Sequence, residues 1–295
     1  MARERAHAVR RRREREDAGV QSVPRQHRED LVTLIVDAVT TYGERRERAR
    51  ELGARLDFAE QQLRLYLALV DAQERAFERA IAEKPSLDEL ASFVVRDALP
   101  GIMEAAMAAG PERLREAALV RFHEFDLEGI VEAWLAGEDQ GGIDTFLAGA
   151  STAPVLEALP DLAAAIGTGE TDDRHCPRCG GLPQLAVFAE TGEALLTSPR
   201  KLLCSRCGNE WVMSRMTCAS CGETSGAKMP ILSDVELFPH LRIDACEICR
   251  RYLITVDQRK DPRAVPIVDE LAALPLDLVA AERGYTKIAR NLMGF

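Results

Sequence analysis

All eight cysteines of this 295-residue chain lie between Cys176 and Cys249. They form four C-x-x-C pairs, which are Cys176/Cys179, Cys204/Cys207, Cys218/Cys221 and Cys246/Cys249. Two intervening residues let a tight turn point both sulfurs at one ion, and two such turns supply a closed tetrahedral site. A single pair could equally be a redox motif. Four pairs that use every cysteine in the chain predict two metal ions, each held by four thiolates.

The spacing of the pairs shows an internal repeat. Each cysteine of the first two pairs has a counterpart 42 residues later, and both halves read C-x-x-C, twenty-four residues, C-x-x-C. Two copies of one rubredoxin-like or zinc-ribbon unit would produce this pattern. The repeat favours consecutive ligation, with pairs one and two on one ion and pairs three and four on the other. A cross-braced arrangement, pairs one with three and two with four, is the alternative.

Four thiolates leave no free position on a tetrahedral ion. A catalytic zinc keeps one position open and usually has a carboxylate base nearby, so the predicted sites are structural or signalling. His175 and His240 lie near the cysteines but are needed to complete neither set, and we expect neither to be a ligand. The sequence has no nucleophile pattern, phosphate-cradling loop or dinucleotide fingerprint, so we expect no enzyme. Four thiolates suit Zn²⁺ or a single rubredoxin-like iron, and spacing does not separate the two.

The elements that position the cysteines follow from periodicity and composition. Residues 28–170 are predicted to be a helical domain, in which a stripe of apolar residues from Leu56 to Glu83 has helical spacing. The region 174–260 is predicted to hold the two metal ribbons. Its β-prone runs are predicted strands: Leu185–Phe188, Lys201–Leu203, Val235–Phe238 and Tyr252–Val256.

The two ends of the chain complete the predicted domain organisation. Residues 261–295 are predicted to form a C-terminal helix and tail, with the helix over about 264–283 and Ile267, Leu271, Leu274, Leu278 and Val279 on its apolar face. Residues 1–27 are predicted to be a disordered basic lead-in, because the first thirty residues hold nine Arg against six Asp and Glu.

Charge and hydropathy limit the classes of function that the chain can have. The net charge is −10, and the apolar run at 31–39 is too short and too polar for a spanning helix. The N-terminal arginine cluster is followed by acidic residues rather than an apolar stretch, so we expect no signal peptide and a reducing, cytoplasmic location. Residues 174–260 hold twelve Lys and Arg against nine Asp and Glu. Two divalent ions in eight thiolates add about −4, which argues against a nucleic-acid-binding zinc ribbon.

Residues around the cysteines resemble one known family. The segments that carry the likeness are His175–Gly180 (HCPRCG), Leu203–Trp211 (LCSRCGNEW), Thr217–Cys221 (TCASC), Ala245–Leu253 (ACEICRRYL) and Asp269–Leu278 (DELAALPLDL) with Gly284-Tyr285. They look like those of the FdhE family, the formate dehydrogenase formation (accessory) proteins. The likeness is specific over about 174–286 and looser over the helical half.

The resemblance implies an α+β fold, with a helical N-terminal domain followed by two tandem rubredoxin-like or zinc-ribbon units and a C-terminal helix. It implies a cytoplasmic accessory protein that binds the catalytic, molybdenum-containing subunit of a respiratory formate dehydrogenase during maturation. All eight cysteines match the family's metal-binding positions, which can hold iron. The alternatives are a zinc-ribbon nucleic-acid-binding protein and a rubredoxin-like electron-transfer protein. The oligomeric state and the maturation step stay open.

Overall fold

The structure, a computed structural model, describes residues 42–123, 126–167, 172–189 and 199–294. The predicted lead-in 1–27 and the segment 28–41 lie outside these ranges. Helices dominate the described chain up to Ile166, as the apolar periodicity predicts. They are α1 (42–55), α2 (Glu60–Glu83), α3 (Leu90–Phe93), α4 (Leu99–Ala109), α5 (Glu112–His123), α6 (Leu127–Ala136), α7 (Gly142–Ala158) and α8 (Pro160–Ile166). In the described ranges, none of the helices is both long enough and apolar enough to cross a membrane.

Helix α2 is the centre of the helical part. The predicted apolar stripe is buried at Leu63, Tyr66, Val70 and Phe77, and the helix packs against α4 and α7. It ends at Lys84, which adopts a left-handed conformation with φ 52° and donates its amide to the carbonyl of Ala80 at 2.8 Å.

The metal-ribbon region forms one sheet. Its strands are β1 (Pro183–Phe188), β2 (Arg200–Cys204), β3 (Glu210–Met213), β4 (Ile231–Leu232), β5 (Leu241–Ala245), β6 (Arg251–Asp257) and β7 (Thr286–Lys287). The order is β3-β2-β1-β6-β5-β4, with β7 beside β6.

The sequence repeat is visible in the order of the strands. Strands β1–β2–β3 and β4–β5–β6 are two antiparallel units. They join through a parallel pairing of β1 with β6 that places Leu185 opposite Ile254. The predicted α+β architecture with two tandem ribbon units is therefore confirmed, and the two units share a sheet.

One predicted strand is wrong. The run Val235–Phe238 is a turn followed by strand β5 from Leu241. The side chain of Asp234 accepts hydrogen bonds from the amides of Glu236 and Leu237 at 3.2 and 3.0 Å, which offers the backbone a local alternative to strand pairing.

The predicted C-terminal helix is interrupted. It divides into α9 (Pro266–Ala272) and α10 (Leu274–Glu282), because Pro275 has no amide to donate and is accommodated only in the first turn of a new helix.

The predicted apolar face of the C-terminal helix is also partly wrong. Leu278 is 49% exposed, whereas Asp277 is 2% exposed. The reason is the buried Lys287, whose ammonium group contacts both Glu270 and Asp277 and compensates their charges.

A second buried ion-pair network joins α1 to α9. Arg48 donates to both carboxylate oxygens of Asp269, at 2.6 and 2.9 Å, and to Asp261 at 2.7 Å. His240 Nε2 lies 2.8 Å from Asp269 Oδ1. Arg48, His240 and Asp269 are buried, so these contacts tie the helical part to the C-terminal segment and the start of β5.

Candidate metal centres

The first cysteine cluster contains pairs one and two. The sulfurs of Cys176, Cys179, Cys204 and Cys207 all lie within 4.8 Å of one another, and all four residues are buried. The Cys176–Cys207 Sγ distance is 3.8 Å and the Cys179–Cys204 distance is 3.4 Å. A tetrahedral zinc with Zn–S bonds of about 2.3 Å places its sulfurs about 3.8 Å apart. The cluster therefore has the dimensions of a four-thiolate site.

The second cluster contains pairs three and four. The Sγ distances Cys218–Cys249 and Cys221–Cys246 are both 3.8 Å. The predicted consecutive grouping is thus confirmed, and the cross-braced pairs lie in different clusters. The two clusters differ in access to solvent, because Cys221 is exposed and Cys249 is half-buried.

All four C-x-x-C turns have the same backbone geometry. The amide of the first cysteine donates to the carbonyl five residues later in each turn, at 2.8 to 2.9 Å: Cys176 to Gly181, Cys204 to Asn209, Cys218 to Glu223 and Cys246 to Arg251. Backbone amides of Arg206 and Ser220 also donate to the sulfurs of Cys204 and Cys218, both at 3.4 Å. These bonds orient the sulfurs and stabilise thiolates.

The residue after the second cysteine of each turn has a left-handed backbone. It is glycine in three turns, Gly180, Gly208 and Gly222, with φ of 70°, 65° and 80°. Glycine takes this conformation without steric cost. The fourth turn has Arg250 at φ 57°. Its guanidinium lies 4.1 Å above the ring of Tyr285 and donates to the carbonyl of Arg283, so contacts with the C-terminal segment hold the strained residue in place.

The electrostatics of the two cysteine clusters are compatible with a bound cation. Hydrogen bonds with the other three cysteines lower the pKa of Cys176, whereas hydrogen bonds with Cys176, Cys179 and Cys207 raise the pKa of Cys204. In the second cluster, burial raises the pKa of Cys218 to about 12. Four clustered thiols therefore do not all ionise on their own, and a bound cation would supply the compensating charge. Zn²⁺ and iron both fit four sulfur donors.

Neither nearby histidine belongs to a cysteine cluster. His175 Nδ1 lies 2.7 Å from Asp172 Oδ1. His240 forms a third group of possible ligands with Asp261 and Asp269, whose donor atoms are within 4.8 Å of one another. The guanidinium of Arg48 already contacts both carboxylates, so we interpret this group as an ion-pair network.

Sequence reasoning missed the buried acidic residues and the partners of one arginine. Asp269, Glu270 and Asp277 are buried in the two C-terminal helices, and the apolar pattern gives no signal for their burial because it places other residues on the core-facing side. Arg206 is half-buried and stacks 5.8 Å from the ring of Trp134. No local pattern predicts that contact, because the two residues are distant in sequence.

Two ribbon units fused in one sheet and packed on a helical body define a metal-ribbon protein. The family model "FdhE, C-terminal domain" matches residues 216–293. A "Protein FdhE homolog" from Pseudomonas aeruginosa is 32% identical over 206 residues, which are 66% of this chain and 62% of that protein. Another from Aquifex aeolicus is 34% identical over 121 residues, which are 41% of this chain and 42% of that protein. The aligned part thus spans less than two thirds of either relative.

The fold also matches a solved structure. The crystal structure of the FdhE protein from Pseudomonas aeruginosa superimposes with a TM-score of 0.62 and 23% identity, over 85% of this chain and 94% of that one. The family model and the FdhE homologues confirm the resemblance to the FdhE family seen at the cysteine pairs.

Proposed function

We propose that the chain is an accessory protein for the maturation of a respiratory formate dehydrogenase and is not itself an enzyme. The observation that carries the proposal is the family's four C-x-x-C turns, assembled here into two complete four-sulfur clusters. Neither cluster leaves a coordination position for a substrate on a tetrahedral ion, which supports a binding role over a catalytic one.

The eight cysteines would hold two ions, iron or zinc, one in each cluster. Ions of this kind fix the positions of the turns and supply folding free energy that a small ribbon core lacks. The ribbon region would then be a rigid platform on the helical body. We infer that it works in the cytoplasm, where thiols stay reduced.

The partner would be the catalytic subunit of the dehydrogenase. The surface around the second cluster supports contact with a polypeptide. Cys221 is exposed there, and two apolar side chains of the same region, Met216 and Ile248, are 59% and 57% exposed. These exposed apolar side chains are available to pack against a partner surface.

The exposure of Cys221 also favours a second candidate, rubredoxin-like electron transfer. Electron exchange needs close approach to a thiolate of an iron site. Reversible one-electron bleaching of an iron–thiolate absorption band, in protein purified without oxygen, would support this role.

Formate-dependent dye reduction in membranes tests the accessory role. We expect deletion of this chain from its source strain to abolish the activity while the dehydrogenase polypeptide persists, and the wild-type chain to restore it. Cys176→Ser and Cys218→Ser, which break one cluster each, should restore less activity at equal protein level. Unchanged activity in the deletion strain would contradict the accessory role.

A further inference from the structure

A large cavity lies between the helical body, the first ribbon unit and the C-terminal segment. Its volume is about 910 Å³, and it is lined by residues from α2, α6, α7, the first metal cluster and residues 287–294. Small-molecule sites commonly have volumes of about 300 to 1,000 Å³ and lie where structural units meet. The size and position of the cavity are therefore those of a ligand site.

The lining is positive although the chain is acidic. Six cationic side chains face three carboxylates, Glu138, Asp139 and Glu157; the cations are Arg45, Arg113, Arg206, Arg251, Lys287 and Arg290. Arg45 pairs with Glu157 at 2.5 Å, and Lys287 is compensated by Glu270 and Asp277. Four arginines then remain against two carboxylates, in a chain of net charge −10. Such a local excess of positive charge favours an anion.

Arg206 is the cation best placed to bind it. The residue is half-buried, and no carboxylate of the described ranges lies within ion-pair distance of its guanidinium. Stacking on Trp134 at 5.8 Å and the backbone bond to Cys204 fix its position. Gly137 faces it at φ 79°, where an added Cβ would lie 2.6 Å from Arg206 Nη2. A held guanidinium without a counter-charge is suited to a phosphate or carboxylate.

Uncharged polar groups complete the lining. Gln61, Gln62 and Gln140 contribute amides, and Tyr66 contributes a phenol whose pKa is raised by burial to about 12, so that it stays protonated. Within the described ranges, the Tyr66 hydroxyl and Gln62 Oε1 are buried without hydrogen-bond partners. Buried polar atoms of this kind destabilise the protein until they are satisfied. They would gain hydrogen bonds from the uncharged polar part of a ligand or from water bound with it.

Among the described residues, the strands that line the cavity offer no long free edge for an extended peptide. Gln184 belongs to β1, which is paired with β2 on one side and β6 on the other, and Lys287 belongs to β7, which is only two residues long. Peptides that bind in extended form usually add to a free strand edge. This argues for a small molecule rather than an acidic polypeptide.

We propose that this cavity binds a small organic oxyanion, a phosphate or a carboxylate, with Arg206 as its charge partner. The site adjoins the first sulfur cluster, includes none of its cysteines and does not depend on the accessory role. Its chemistry requires a compact anion with hydrogen-bonding groups beside the charge.

Isothermal titration of the full-length, metal-containing chain with ADP and with citrate tests the proposal. We expect Arg206-dependent binding of at least one: ADP binding identifies a phosphate site and citrate binding a carboxylate site. Arg206→Gln should weaken the affinity by about tenfold or more, since it removes a charge-assisted hydrogen bond. Arg251→Gln, at another cation of the lining, should also weaken it.

Arg178→Gln is the matched control. Arg178 occupies the same position in the other turn of the first cluster but does not line the cavity. It should leave binding unchanged, and both Arg178→Gln and Arg206→Gln should keep the wild-type metal content. The proposal is overturned if neither anion binds, or if both variants weaken binding equally. It is also overturned if a glutamate hexapeptide binds through Arg206 while ADP and citrate do not.

Discussion

At the scale of single residues, Arg250 shows that a tertiary contact can override the local preference for glycine at a left-handed position. The other three turns place glycine at this left-handed position, and the fourth places an arginine that stacks on Tyr285. The sequence predicts the turns because cysteine spacing and glycine are local signals. It does not predict the stacking partner, which lies 35 residues further along the chain.

Two substitutions of Arg250 separate strain from stacking. Arg250→Ala and Arg250→Gly both remove the contact with Tyr285, but only glycine relieves the left-handed strain. We expect the glycine variant to have the higher free energy of unfolding, by about 1 kcal/mol. Urea denaturation of both metal-loaded variants measures the difference. Equal stabilities would show that the left-handed conformation of this turn carries no cost.

At the scale of elements, charged pairs decide which faces of the C-terminal helices are buried. Apolar spacing places α9 and α10 approximately, but it favours Leu278 over Asp277 for the core. The outcome depends on Lys287, which reaches the helices from β7. A pattern within one helix contains no information about a cation supplied by another element.

The ion pair between α1 and α9 gives a measurable prediction. Asp269→Asn leaves the buried Arg48 with less compensation, so we expect the free energy of unfolding to fall by about 3 kcal/mol or more. Arg263→Gln is the control, since its pair with Glu51 is at the surface and Arg263 is 72% exposed. That change should cost less than about 1 kcal/mol. Urea denaturation followed by circular dichroism compares the two, and similar losses would contradict the assigned role of the buried pair.

The same network adds a pH dependence. Burial raises the pKa of Asp261, but hydrogen bonding and the charge of Arg48 outweigh it, so the pKa is lowered overall. A carboxyl group whose pKa is lower in the folded state stabilises the fold above its unfolded pKa of about 3.9. This contribution is lost as the pH falls through the lower, folded-state pKa.

At the scale of the whole molecule, the two ribbon units share a sheet but keep separate clusters. The 42-residue repeat predicts two units and their consecutive grouping, because each unit's ligands come from one stretch of chain. The repeat does not predict the parallel pairing of β1 with β6. It brings together residues about 70 positions apart, such as Leu185 and Ile254, and no turn between neighbouring strands sets its register.

The sequence also does not predict how the sheet packs on the helical body. The cavity arises where Arg206, Trp134 and residues 287–294 come together. None of these residues belongs to a motif that is recognisable within its own segment of the sequence. Their juxtaposition depends on how the described units pack, which hydrophobic periodicity does not encode.

We propose that one chain holds two metal ions, one in each four-sulfur cluster. Metal analysis of protein purified without oxygen tests it most directly, on the wild type, Cys176→Ser and Cys218→Ser. We predict two ions of iron or zinc in the wild type and one in each variant, because each substitution removes a ligand from only one cluster. Loss of both ions from Cys218→Ser, or a wild-type chain with fewer than two, would contradict the claim.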